Sequence, residues 1–180
     1  MRILKRIIIV VLVLVAIPFI TALFVKKDYA VEKEIVINKP KQVVFDYIKM
    51  LRNQDNFSVW AKKDPNMKKG YSGTDGAPGF IASWESQNNE VGTGEQEILK
   101  ITEGERIDFR LRFKVPFEAQ DDAYMITEAV GDNQTKVKWG FMGAFPYPMN
   151  IMNLFMDMDK AVGKDLSQGL ANLKATLESQ

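Results

Sequence analysis

Residues Ile7 to Val25, IIIVVLVLVAIPFITALFV, run for 19 positions without a charge and with one polar side chain, Thr21. A 180-residue chain can make one domain with a real core plus one appendage, and this run is the appendage. At a rise of about 1.5 Å per residue the run nearly crosses the hydrocarbon layer of a bilayer. Arg2, Lys5 and Arg6 precede it, Lys26 and Lys27 follow it, and Pro18 lies inside it, where a membrane helix tolerates proline better than a soluble one does. A cleaved signal peptide is the competing reading. Its apolar core would be about 7 to 15 residues long and end in a small-x-small site, whereas this run is longer and Ile20-Thr21-Ala22 puts a bulky residue first. We therefore read residues 1–27 as an uncleaved single-pass anchor and residues 28–180 as one domain. The slight excess of basic groups before the span leans toward a cytoplasmic N-terminus, with the domain on the non-cytoplasmic side.

The formal charge of +1 hides two unlike segments. Residues 1–27 hold five basic and no acidic side chains, which leaves 19 basic against 23 acidic beyond them, net −4. A mildly acidic domain gains little from a phosphate backbone, so nucleic acid is not expected as a partner. The chain has no cysteine and no histidine. Disulfides, thiolate nucleophiles and imidazole bases are excluded, and neither a cofactor nor a metal is expected. Catalysis, if present, would fall to carboxylates, Lys, Tyr or Ser/Thr.

Val31–Ile37 alternates as a strand, and Pro40 opens a helix through Met50. A short helical or irregular piece then carries Phe57, Val59 and Trp60. The segment DPNMKKGYSGTDGAPG, Asp64 to Gly79, reads as loop around one short strand. Strands at hairpin spacing follow: Phe80–Ser86, Val91–Thr102, Glu105–Phe113, Phe117–Val130 and Thr135–Gly143, joined by QNNE, EGE, KVP and GDNQ. Helical spacing resumes near Pro148 and continues almost to Gln180. This order implies an α+β fold, a curved antiparallel sheet with one long helix across it.

Opposed residues in a hairpin share a face. With EGE as the turn, Ile101 opposes Ile107, Leu99 opposes Phe109, Glu97 opposes Leu111 and Glu95 opposes Phe113. With QNNE as the turn, Ala82 joins Glu95 and Phe80 joins Glu97. Both registers put Glu95 and Glu97 on the apolar face with Phe80, Trp84, Phe109, Leu111 and Phe113. There, desolvation would raise their pKa values and make them candidate proton donors, with Tyr124 or Arg110 able to polarise a carbonyl. A bulge near Gly92 or Gly94 would instead turn both carboxylates outward. Val137, Trp139 and Phe141 share a face, while either Tyr124 and Ile126 or Ala123 and Met125 oppose them.

On the last helix, Ile151, Phe155, Met158, Val162, Leu166, Leu170, Leu173 and Leu177 make one stripe. Met149, Met152 and Met156 enrich its first half in pliable side chains suited to an apolar ligand, although they equally suit core gaps or a membrane face. The expectation is a cavity walled by the sheet residues named above, by Trp139 and Phe141, and by Met149, Met152, Phe155 and Met156.

Four stretches resemble the SRPBCC superfamily of START-like, helix-grip proteins, in its polyketide cyclase/dehydrase and lipid-transport branch. They are EIVINKPKQVVFDYIKM, the Trp of FSVWAKKDP, GAPGFIASWESQNNEVGTGEQEILKITEGERIDFRLRF, and MNLFMDMDKAVGKDLSQGLANLK, within about residues 30 to 179. The resemblance implies about seven antiparallel strands gripping the long helix around an apolar cavity. It also implies a hydrophobic small molecule or lipid as the partner, and it assigns no catalytic residue. Together with membrane contact through residues 7–25, it leads to three expectations: a membrane-anchored binder or transporter, a cyclase or dehydratase using the cavity carboxylates, or a non-catalytic module for a membrane partner.

Overall fold

Alternation of β-branched and polar residues, interrupted by Gly and Asn turns, produces one continuous antiparallel sheet. The computed structural model describes residues 2–179. Helix α1, Arg2–Ala22, is followed by β1 (Asp28–Ile37) and α2 (Lys41–Lys49). A 3-10 turn, Leu51–Asn53, leads to the short helices α3 (Gln54–Phe57) and α4 (Val59–Lys63). Next come β2 (Lys68–Ser72), β3 (Ile81–Glu85), β4 (Thr93–Thr102), β5 (Arg106–Val115), β6 (Ala119–Gly131) and β7 (Gln134–Ala144), and α5 (Lys164–Glu178) closes the chain. The seven strands are ordered β1-β7-β6-β5-β4-β3-β2, so the first strand completes the sheet beside the last. This is the α+β helix-grip arrangement.

The final helix is shorter than its spacing implies. A 3-10 turn (Met149–Leu154) and a π turn (Asp159–Gly163) precede α5. Asn150 and Asn153 account for the break, because their side chains bond to backbone elsewhere, as Asn does when it competes with a helix. Asn150 Nδ2 donates to the carbonyls of Ala22 (2.6 Å) and Val25 (2.8 Å), and Asn153 Nδ2 donates to those of Lys26 (3.0 Å) and Lys27 (3.2 Å). The C-terminal carbonyls of a helix lack intrahelical partners, so Asn150 caps α1 from within the domain. Asp157 then accepts from the backbone N–H of Lys160 (3.2 Å) at the start of the next turn.

Between sheet and α5 the interior divides in two. Toward the C-terminal end of α5, Leu170, Leu173 and Leu177 pack with Ile37, Phe45, Ile48, Phe80, Ile98, Phe109 and Met125, all fully buried or nearly so. Each large apolar side chain buried there is worth about 1.5–3 kcal/mol. Helix α1 is exposed along its length until Ala22, and it is long and apolar enough to cross a membrane, a description that a signal sequence also meets.

Two glycines of β7 let tyrosines cross that strand, one on each face. Tyr29 of β1 reaches over Gly143 to donate to Asp121 of β6 (3.0 Å), and Tyr124 of β6 lies over Gly140 to donate to Glu32 of β1. A Cβ at either glycine would collide with the crossing side chain.

Candidate functional site

Toward the N-terminal end of α5 the sheet and helix separate, enclosing a cavity of about 480 Å³. That volume is within the range of small-molecule sites. Sheet strands contribute alternate inward residues: Ala82 and Trp84 from β3, Gln96 from β4, Leu111 and Phe113 from β5, Ala123 from β6, and Trp139 and Phe141 from β7. Trp60 and Gln54 cover one side, Val162 and Leu166 another, and Val115, Pro116 and Phe117 lie at the tip of the β5–β6 hairpin. Trp139 is fixed by edge contacts to Phe57 (5.7 Å) and Trp60 (6.4 Å), and Trp84 by an edge contact to Phe113 (6.0 Å) and by donating from Nε1 to the Val91 carbonyl (3.2 Å). All three tryptophans of the chain therefore line one space.

Of the residues expected at the wall, Trp84, Leu111, Phe113, Trp139 and Phe141 are there. Phe80 and Phe109 lie in the solid core instead. Glu95 and Glu97 are on the opposite face, and this corrects the inward register. The turn pairs Lys100 with Asp108 and Ile101 with Ile107, as spacing predicts, but a bulge at Leu99 then shifts β4 by one residue. Ile98 opposes Phe109, and Glu97 and Glu95 oppose Arg110 and Arg112. In the other hairpin Gly92, in the left-handed region at φ +65°, adds a residue to the loop, so Ala82 opposes Gln96 rather than Glu95. Arg112 bridges both glutamates, at 3.0 Å to Glu95 and 2.5 Å to Glu97. Arg110 pairs with Asp122 (3.0 Å), and Tyr124 faces outward, because Ala123 and Met125 are the residues opposing Phe141 and Trp139. Replacing Glu97 by Gln is accordingly expected to leave ligand affinity unchanged and to cost under about 1 kcal/mol in urea unfolding, as for other solvent-side ion pairs.

The methionine-rich segment is not part of the wall either. Met149 and Phe155 are exposed, Met152 is half-buried in its 3-10 turn, and Met156 borders a shallow crevice with Phe24 and Tyr29.

Three polar residues near the cavity carry no periodic signal in the sequence. Gln54 lines the cavity and is only 9% exposed, and its Nε2 has no hydrogen-bond partner among the described residues. Buried polar groups are almost always bonded, so this donor stands out. Asp121 is buried on the inward face between the cavity residues Ala119 and Ala123. Burial pushes its carboxyl above the ordinary 3.8, against the opposing effect of the Tyr29 hydrogen bond, and burial likewise raises the Tyr29 hydroxyl. The folded state thus holds the Asp121 proton more tightly than the unfolded chain, and stability falls as pH rises from 3.8 through the raised value. Asp121→Asn keeps an acceptor for Tyr29, so it is expected to raise Tm at pH 7 and to remove that part of the acid-to-neutral decline, both measurable by thermal scans between pH 4 and 7.

A curved antiparallel sheet gripping a C-terminal helix, with an apolar, tryptophan-lined cavity between them, defines a helix-grip protein. The chain belongs to the polyketide cyclase/dehydrase and lipid transport family, whose model matches residues 29–178. Solved structures share the fold at low identity. They include protein MLL2253 from Mesorhizobium loti (12% identity, TM-score 0.59, covering 84% of this chain and 98% of that one). The Aha1 dimer from Colwellia psychrerythraea matches at 14% identity and TM-score 0.56, over 83% and 96% of the two chains. Ara h 8.0201 matches at 16% and 0.54, over 85% and 99%. No curated protein sequence matches this chain.

Proposed function

We propose that the protein is a membrane-anchored binder or carrier of a hydrophobic small molecule or lipid, held in the cavity between the sheet and the start of α5. The observation that carries this reading is the cavity itself, about 480 Å³ in volume and walled mainly by aromatic and aliphatic side chains, beside an otherwise close-packed core. Supporting it are the family's lipid-transport description and the apolar α1. The basic residues before α1 favour placing the domain on the non-cytoplasmic side. Glu95 and Glu97, the acids on which the cyclase or dehydratase alternative rests, face outward and pair with Arg112.

The guest is apolar with one hydrogen-bond acceptor, such as a carbonyl or ester oxygen, placed to receive the unpartnered Gln54 amide. Leaving a buried donor unpaired costs more than a typical hydrogen bond returns. With Trp60, Trp84 and Trp139 as reporters, the full chain in nanodiscs is titrated with 2-decanone and with decane, each presented at equal thermodynamic activity through the vapour phase. Both are expected to shift tryptophan emission, with the ketone favoured roughly tenfold. Gln54→Met should keep alkane binding and abolish that preference. Equal affinity of the wild type for both probes would mean that a resident water already satisfies Gln54, and the acceptor requirement would be wrong. Failure of either probe to alter the emission would sink the cavity reading.

A further inference from the structure

We propose that the segment from Phe145 to Met158, together with Leu23 and Phe24, is a collar embedded in the lipid interface, which turns the mouth of the cavity toward the bilayer that α1 crosses. The proposal rests on the membrane reading of α1 and adds an orientation and a contact surface to it.

Topology supplies the first argument. Because every neighbouring pair of strands is antiparallel, the start of β1, the end of β7, the start of β6, the end of β5 and the start of β4 lie at one end of the sheet. The anchor joins β1 at that end. So do the cavity's outermost residues, Val115 and Phe117 at the β5–β6 tip and Phe145 after β7. Phe145 makes the connection direct, since it lines the cavity while its backbone N–H donates to the Lys27 carbonyl (3.0 Å).

Exposure supplies the second. At this end Phe24 is 85% exposed, Phe117 80%, Phe155 78% and Leu23 68%, with Leu154 and Met149 more than half exposed. The turns at the other end are Glu103-Gly104-Glu105, Asp132-Asn133 and the β2–β3 loop of residues 73–80, while at the anchor end only the β3–β4 loop, residues 86–92, is mainly polar. Large apolar side chains gathered on one rim mark a binding surface.

Depth supplies the third. The Tyr147 ring packs 6.5 Å from Phe19, and its hydroxyl donates to the Phe19 carbonyl (3.4 Å). Phe19 is well inside the apolar run. A side chain touching that turn of a membrane-crossing helix is itself at the headgroup boundary, where tyrosine is enriched. Continuity with α1 therefore selects lipid as the occupant of this rim.

The absence of cysteine makes each introduced thiol unique. Full-length Phe155→Cys, Phe117→Cys, Val130→Cys and Val13→Cys are each labelled with an environment-sensitive NBD probe. They are then reconstituted in phosphatidylcholine vesicles with or without acyl-chain doxyl quencher. Labels at 13, 155 and 117 are expected to emit at shorter wavelength and to be quenched by doxyl lipid, and the label at 130, by the β6–β7 turn, to be quenched only by aqueous iodide. Iodide access at 155 and 117 with lipid quenching at 13 would overturn the collar and leave the anchor standing. Lack of lipid quenching at 13 would overturn both. Shielding of 155 from iodide and from doxyl lipid alike would mean that a protein covers the rim, which also overturns the proposal.

Discussion

Ala123→Phe is expected to lower affinity for 2-decanone by about a hundredfold, read from tryptophan emission, while the protein melts at or above the wild-type temperature. Ala123 is inward on β6, between Phe109 of β5 and Phe141 of β7, and it is one of the smallest side chains on the cavity wall. A benzyl group there has space to enter, so it occupies the volume a guest would take instead of displacing neighbours. Overpacking a close-packed site normally costs about 1–3 kcal/mol. An unchanged or raised Tm combined with lost binding is therefore the signature of a filled void. Wild-type affinity in a variant of normal stability would place the guest somewhere else.

The same strand supplies the second large effect. Phe109 and Phe113 are both inward on β5, four residues apart, yet Phe109 is fully buried among Ile37-type core residues whereas Phe113 borders the cavity. Phe109→Ala should cost about 3–5 kcal/mol, a large share of the roughly 5–15 kcal/mol available to a domain. Phe113→Ala loses mainly its edge contact with Trp84 and widens space that is already empty, so about 1 kcal/mol is expected. Urea denaturation of the two variants measures the contrast directly. Equal losses would mean that the interior is packed uniformly and that no guest-sized space separates sheet from helix.

Much of the fold is legible in the sequence because its turns are chemically explicit. Asn38-Lys39-Pro40, Glu103-Gly104-Glu105 and Asp132-Asn133 fall at real turns, and the spacing places the strands between them within two or three residues of their observed ends. Faces are harder. The bulge at Leu99 and the extra loop residue Gly92 each slip one hairpin by one position, and both slips turn Glu95 and Glu97 the same way. Agreement between two hairpins therefore points to the wrong face, since a period of two converts any single insertion into a complete inversion, and the alternative of an irregularity near Gly92 that turns both carboxylates outward is the one the structure has. Nothing in the residue types around Leu99 announces the bulge. Register at the turn itself, where Lys100 meets Asp108, was readable because no insertion intervenes.

The methionines mislead for a different reason. Helical spacing continues from Ile151 to Leu177, but periodicity does not report that Asn150 and Asn153 bond to the chain near residue 25 rather than leaving the helix undisturbed. That contact is long-range, across more than 120 positions of sequence. Gln54 is invisible on similar grounds. A glutamine beside Asp55 and Asn56 reads as surface, and only the packing of Leu51 and Phe57 on either side carries it inward.

The bonds from Asn150 to the end of α1 and from Asn153 to the linker after it fix how far the cavity can move relative to α1. A flexible stalk would let the domain sweep a hemisphere and visit distant acceptors, but here the carbonyls of Ala22, Val25, Lys26 and Lys27 are all taken by side chains of the body. On the anchored-carrier reading proposed above, the pocket stays at a fixed height and searches in two dimensions, by lateral diffusion with its anchor. The same reading requires any donor or acceptor of the cargo to come to that plane, either dissolved in the same leaflet or presented by a neighbour that stands on it.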